Sequence, residues 1–344
     1  VMDNKVVTVS GNGRERGLSH GAQLKPVITD VVERFAQSAG GFDEFARFLE
    51  ETSFEDAIAE YVPDLDAELR GIAEGAGLPY EHVLTHNLMD EHWWWTEVDG
   101  RREACSTLAT ASGLVGQTMD LPMHLDGSQV IVRNAGIEGR TTTVLSSAGL
   151  IGLCGSSTPS EGNAEPTFAI CVNALTTLRH NSRGLPVAFV LRGALSTPDA
   201  ESAIEFLRSV PHASGQHYAV VGYDQWGSLR TTSLECSAGG VALVVEESSF
   251  GHANHPLATT DIDTEMKSTE SNSEARQHIL DQSLSTIADL DQLTALLSEA
   301  PICLERRPGI NWFTFGAIAV DTGSRTMQFS LGPPSTQGWN QIGI

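Results

Sequence analysis

Over residues 18–37, apolar side chains fall at Leu24, Val27, Ile28, Val31, Val32 and Phe35. This three-to-four spacing lines one face of a helix. Residues 42–50 and 54–61 carry the same period. Pro63 and Asp64 then open a helix that Gly75 and Gly77 stop near Ala76. Residues 79–91 read as helical again and run into Trp93-Trp94-Trp95. Three aromatic rings in a row supply core packing or, in a sharper reading, line an apolar pocket.

After residue 104 the period changes. Residues 106–109, 114–118, 129–134, 141–146 and 167–173 read as strands between Gly-rich or polar turns. Residues 184–195 and 198–210 return to helical spacing, the second behind Thr197-Pro198-Asp199. Strands follow at 217–223, 228–233 and 241–246, helices at 273–284 and 289–297, and strands at 313–320 and 326–331. Residues 156–165 and 259–272 read as exposed loops. The order predicts an α+β fold of antiparallel sheets covered by helices. Its parts are a mainly helical segment 1–104 and a strand-rich region 105–344. No internal repeat is visible.

With 344 residues, 40% of them hydrophobic, the chain has ample material for a core. No apolar run approaches the ~20 residues of a membrane span. The first residues lack a basic and apolar leader, so a cytoplasmic location is expected. The net charge of -23 repels phosphate backbones and anionic lipid. Nucleic-acid and membrane partners are therefore not expected, whereas an amine-bearing substrate would be steered favourably. Gly11-Asn12-Gly13-Arg14-Glu15-Arg16-Gly17 puts Arg16 where a dinucleotide loop needs its third glycine, so no nucleotide site is read there. His252-Ala253-Asn254-His255 has neither an H-E-x-x-H frame nor a third ligand. No metal and no cofactor are expected.

The five cysteines, Cys105, Cys154, Cys171, Cys236 and Cys303, are widely spaced and contain no C-x-x-C. That spacing argues against a disulfide scaffold and against a structural zinc site. Cys105 stands apart, because it follows the small residue Ala104 at the switch from helices to strands. A self-cleaving amidase has this form. The thiol attacks the Ala104 carbonyl, the chain breaks, and the freed α-amine of Cys105 becomes the base for its own thiol. A buried structural thiol is the alternative.

Several stretches along the chain resemble the acyl-coenzyme A:6-aminopenicillanic acid acyltransferase family, which belongs to the N-terminal-nucleophile hydrolases. They are Gly13-Arg14-Glu15-Arg16-Gly17 with His20-Gly21, Ala104-Cys105-Ser106-Thr107, and Gly116-Gln117-Thr118-Met119-Asp120. Val172-Asn173-Ala174-Leu175, Gly184-Leu185-Pro186 with Arg192, His252-Ala253-Asn254-His255 and Ser273-Glu274-Ala275-Arg276 follow in order. Thr118 and Met119 stand where the family pattern has Asn and Trp.

The resemblance implies a four-layer αββα sandwich, cut before Cys105 into two associated fragments. It assigns Cys105 as nucleophile and Asp120 as the carboxylate that orients its amine. Asn173 and Asn254 become donors to the tetrahedral oxyanion, each such donor stabilising by about 3 kcal/mol. Arg276 becomes the cation that holds the nucleophile's surroundings together. The alternatives are a turn aspartate at Asp120, turn asparagines at Asn173 and Asn254, and a helix-surface arginine at Arg276. The implied reaction is hydrolysis or transfer of an acyl group at a linear amide bond of a small molecule. Competing readings are a papain-like cysteine peptidase, whose local signature is missing here, and a catalytically silent relative that binds a small molecule. Homo-oligomerisation is compatible with each.

Overall fold

The structure, a computed structural model, describes residues 6–96, 105–137, 139–160, 166–264 and 272–344. It opens with a strand, β1 (Val6–Ser10), followed by six helices: α1 (Gly13–Ser38), α2 (Phe42–Glu50), α3 (Phe54–Tyr61), α4 (Pro63–Ala76), α5 (Tyr80–Asn87) and α6 (Met89–Trp95). Helix α1 starts at a capping box. The Asn12 side chain accepts from the Glu15 N–H at 3.0 Å, and the Glu15 carboxylate accepts from the Asn12 N–H at 2.9 Å. The glycine-rich stretch around it is thus a helix start. At the other end of the segment, the helix expected over residues 79–91 is interrupted at Leu88, which caps both α5 and α6.

Strands β2 (Ser106–Ala109), β3 (Leu114–Pro122), β4 (Gln129–Ile137), β5 (Arg140–Ser147), β6 (Cys154–Pro159) and β7 (Phe168–Ala174) follow. Then come α7 (Val187–Leu195), α8 (Ala200–Ser209), β8 (Gln216–Tyr223), β9 (Leu229–Ser237), β10 (Gly240–Glu246) and β11 (Phe250–His252). The chain closes with α9 (Ser273–Ser283), α10 (Leu290–Leu297), β12 (Trp312–Asp321), β13 (Thr326–Ser330), α11 (Pro334–Gln337) and β14 (Asn340–Gly343).

Among the described residues the strands form two sheets. One is ordered β1-β4-β5-β6-β7-β8-β9-β10 and the other β11-β2-β3-β12-β13-β14. The expected α+β class is what is found. Every described strand pairing is antiparallel except β1 with β4, where Val6 to Ser10 run parallel to Ile131 to Ala135. The sheets pack on each other through β2, β3 and β12 against β5–β8. Helices α7 and α8 pack on the eight-stranded sheet, and α9 and α10 on the six-stranded one.

The exposed loop expected from residue 156 is wrong as far as Pro159. That stretch belongs to β6, whose six residues are all buried. A strand covered on both faces lacks the alternation that reveals strands in a sequence, and Ser156, Ser157 and Thr158 made this one look polar. No described helix is long and apolar enough to cross a membrane.

Helices α1 and α4 approach so closely that glycine is required at the contact. A Cβ on Gly17 would lie 1.8 Å from the Glu68 carbonyl oxygen, and one on Gly71 would lie 2.3 Å from the Arg14 carbonyl oxygen. Beside this seam, the buried carboxylate of Glu68 accepts from Arg16 at 3.0 and 3.1 Å and from Arg192 of α7 at 3.1 Å. Arg16 also pairs with Asp64. The opening motif and Arg192 therefore do scaffold work, tying α1, α4 and α7 to one another.

Candidate active site

Cys105 immediately precedes β2 and is buried. Its main chain is gripped on both sides. The Cys105 N–H donates to Asn254 Oδ1 at 2.8 Å. The Cys105 carbonyl oxygen accepts from Arg276 Nη1 at 2.5 Å and from Asn173 Nδ2 at 3.2 Å. These partners come from three separate places: Asn173 from β7 of the facing sheet, Asn254 from the turn after β11, and Arg276 from α9.

Each partner is itself held. Asn254 Oδ1 accepts from Arg276 Nη2 at 2.8 Å, while its Nδ2 donates to the Ala174 carbonyl at 3.0 Å. Arg276 Nε donates to Asn272 Oδ1 at 2.8 Å, and its Nη1 also reaches Ser106 Oγ at 3.0 Å. Arg276 is completely buried, so it is no surface residue of its helix. Burial pulls its pKa down, with Asp120 and Cys105 opposing.

Asn173 Oδ1 accepts from Thr107 Oγ1 at 2.6 Å, and its Nδ2 donates to the carbonyls of His252 and Ala253 at 2.8 and 3.1 Å. Gln117 behaves like an extra peptide unit between the sheets. Its amide donates to the Val172 carbonyl and accepts from the Val172 N–H. Such full pairing is what polar groups buried between two sheets require.

Asp120 sits within β3, buried, directly across from Thr314 of β12. It is neither a turn nor a cap. Its Oδ1 accepts from Thr314 Oγ1 at 2.5 Å, and Thr314 Oγ1 accepts in turn from the Leu304 N–H at 2.7 Å. Burial raises the Asp120 carboxyl to about 7, against the opposing pull of the Thr314 hydroxyl and Arg276.

Cys105 and Asp120 line one small apolar cavity of about 40 Å³, walled by Met89, Trp93, Met119, Leu150, Leu153 and Leu191. That is room for only a few waters. Of the tryptophan triplet, Trp93 faces this cavity, whereas Trp95 donates to Glu51 at 3.1 Å.

All five expected side chains thus converge. Ala104, the residue before the expected cleavage bond, lies outside the described residues. Sequence reasoning did not single out Thr107, Glu235, Thr314 or His217. Thr107 closes the motif around Cys105, but no local pattern marks the other three. Their partners lie between 16 and 194 residues away along the chain. All five cysteines are buried, and burial pushes the thiols of Cys154, Cys171 and Cys236 up. A high pKa keeps those three thiols protonated and poorly nucleophilic.

Residues 167–306 match the family described as acyl-coenzyme A:6-aminopenicillanic acid acyl-transferase. The matched interval contains Asn173, Asn254 and Arg276. No curated protein matches the chain. Among solved structures it is similar to a mutant of conjugated bile acid hydrolase from Clostridium perfringens, at 10% identity and TM-score 0.44, over 70% of this chain and 92% of that one. It is also similar to penicillin V acylase from Agrobacterium tumefaciens, at 10% identity and TM-score 0.34, over 70% and 86% of the two chains. That family match spans less than half of the chain.

Proposed function

We propose that this chain is an amidohydrolase or acyltransferase that activates itself by cutting before Cys105 and then uses that residue as an N-terminal nucleophile. In this reading the two packed sheets and their helices are the αββα sandwich of the N-terminal-nucleophile hydrolases. The observation that carries it is the grip on the Cys105 main chain, with Asn254 on its N–H and Arg276 and Asn173 on its carbonyl. A structural thiol needs no such hold on its backbone. A nucleophile whose own amine must aim at its own sulfur does.

Cleavage starts when Cys105 Sγ adds to the carbonyl carbon of Ala104. The peptide C–N bond breaks as the nitrogen takes up a proton, leaving an Ala104 thioester on sulfur. Water hydrolyses it, giving a carboxylate on Ala104 and restoring the thiol. The N–H that Asn254 now accepts from becomes one hydrogen of the free α-amine, so the direction of the amine is set beforehand. An α-amine of reference pKa about 7.7–8 is well matched to take the thiol proton near neutral pH.

In turnover, Sγ attacks the substrate amide carbon and the amine passes its proton to the departing nitrogen. The acyl thioester then goes to water or to an acceptor amine. Asp120, once ionised, pairs with the protonated α-amine. Arg276 and Asn173, by fixing the Cys105 carbonyl, fix the Cα from which sulfur projects. Oxyanion donation falls to the side-chain amides of Asn254 and Asn173, whose Nδ2 groups bond main-chain carbonyls here; a substrate oxygen would compete with those carbonyls. The two fragments, 1–104 and 105–344, stay associated through the β1–β4 ladder and the Glu68–Arg192 pair, which both cross the cut.

The test is a panel of acylated amines and amino acids assayed for released amine, with and without an added acceptor amine. At least one amide should be turned over by the wild-type chain and none by Cys105→Ala. Equal turnover by both would overturn the assignment.

A further inference from the structure

The turn that carries Asn254 is bracketed by a carboxylate from the other sheet. Glu235 lies on β9 and its side chain is fully buried. Its Oε1 accepts from His252 Nε2 at 3.0 Å and from the Leu257 N–H at 2.5 Å, and its Oε2 from the N–H groups of Ala258 and Thr259 at 3.0 and 2.7 Å. Residue 252 precedes Asn254 and residues 257–259 follow it, so one side chain pins the turn at both ends. A carboxylate can only accept, so His252 Nε2 is the donor to it. His252 Nδ1 lies 2.9 Å from the Ala253 carbonyl oxygen, which can also only accept. Both ring nitrogens therefore face oxygens that accept.

The ring's neighbours extend the arrangement to the second asparagine. His217 of β8 stacks on His252 with centroids 3.7 Å apart and planes 8° apart. Its Nε2 lies 2.9 Å from Ser233 Oγ and its Nδ1 3.4 Å from Asn173 Oδ1. Burial, with His252 beside it, holds His217 far below its ordinary pKa, so the His217 ring is neutral. The His252 carbonyl, for its part, accepts from Asn173 Nδ2.

We propose that Glu235 and His252 form a buried carboxylate–imidazolium clamp that positions Asn254 and Asn173 around Cys105. The clamp rests on the reading of Cys105 as nucleophile only for its consequence; its protonation pattern stands on the hydrogen bonds alone. Both are positioning residues, since neither touches the cavity. A buried ion pair is tolerated where further hydrogen bonds complete it, and removing one partner leaves the other charge uncompensated. The three backbone N–H groups complete Glu235 in this way.

Two measurements decide the matter. The first is ring-nitrogen NMR of the ¹⁵N-histidine-labelled full chain at neutral pH, with His252→Gln to assign the signal. The clamp requires both nitrogens of His252 to be protonated in the wild type, and the Glu235→Gln variant to lose that signature. A wild-type ring with one bare nitrogen overturns the proposal, whatever the protein's activity. The second is the rate at which iodoacetamide alkylates Cys105, compared between wild type and Glu235→Gln after circular dichroism shows equal secondary structure. Misplacing catalytic groups by ~1 Å costs about 10²-fold, and a loss of that order is expected. An unchanged rate removes the positioning role. If wild-type Cys105 is itself inert, the nucleophile reading fails, while the NMR result still decides the clamp.

Discussion

Asp120 shows how much one hydroxyl can govern. The carboxyl is buried and raised to about 7, and the Thr314 hydroxyl is among the groups pulling it back down. If the ionised carboxylate is what pairs with the α-amine, turnover should rise with pH through about 7 on its acid side. Thr314→Val removes a hydrogen bond to the anion, worth roughly 1.5–3 kcal/mol where a charged group is involved. The acid limb should then move to higher pH by about one unit or more. Thr314→Ser should keep it near the wild-type position. A pH–rate profile of the three proteins on one amide checks this. Coincident acid limbs would detach Thr314 from the chemistry.

At the scale of elements, the seam between α1 and α4 offers a stability test away from the site. Gly17→Ala favours an isolated helix by about 1 kcal/mol. Here, however, the added methyl meets the backbone carbonyl of Glu68 rather than a side chain that could swing aside. Overpacking should win and destabilise the fold by about 3 kcal/mol or more. Denaturant unfolding measures it, and a stabilised variant would show that the two helices can separate.

Most elements could be read from the chain because their periods are regular: helix α8 and strand β8 fall within two residues of where spacing puts them. The exceptions share a physical cause. Three residues of β11 are too few to show a period, and β6 is covered on both faces. The same holds within the site. Cys105 and Asp120 announce themselves through their motifs, but Glu235 is an ordinary strand glutamate until folding brings His252 and residues 257–259 around it.

For the molecule as a whole, acid should be destabilising even though approaching the pI of about 4.7 relieves the self-repulsion of its net charge. Burial lowers His20, His124 and His212 to about 4 and His86 to about 3, and holds His217 well below its ordinary value. In the unfolded chain these rings titrate near 6.5. Between pH 6.5 and 4 the unfolded state therefore binds more protons at these five sites, and stability falls as pH falls. Glu91 and Asp120, both raised to about 7, work in the opposite sense across that window. Five rings against two carboxyls leave the histidines in control. Melting temperatures measured from pH 7 down to 4 should decline steadily, and a flat or rising series would contradict this balance.

The same whole-molecule view gives the most direct test of self-activation. Purified wild-type chain, denatured and weighed by mass spectrometry, should give two fragments whose masses sum to the full chain plus one water. The larger fragment should begin at Cys105, and Cys105→Ala should give a single uncut chain. A wild-type protein that remains one intact chain, or one cut elsewhere, would contradict an N-terminal cysteine as the nucleophile.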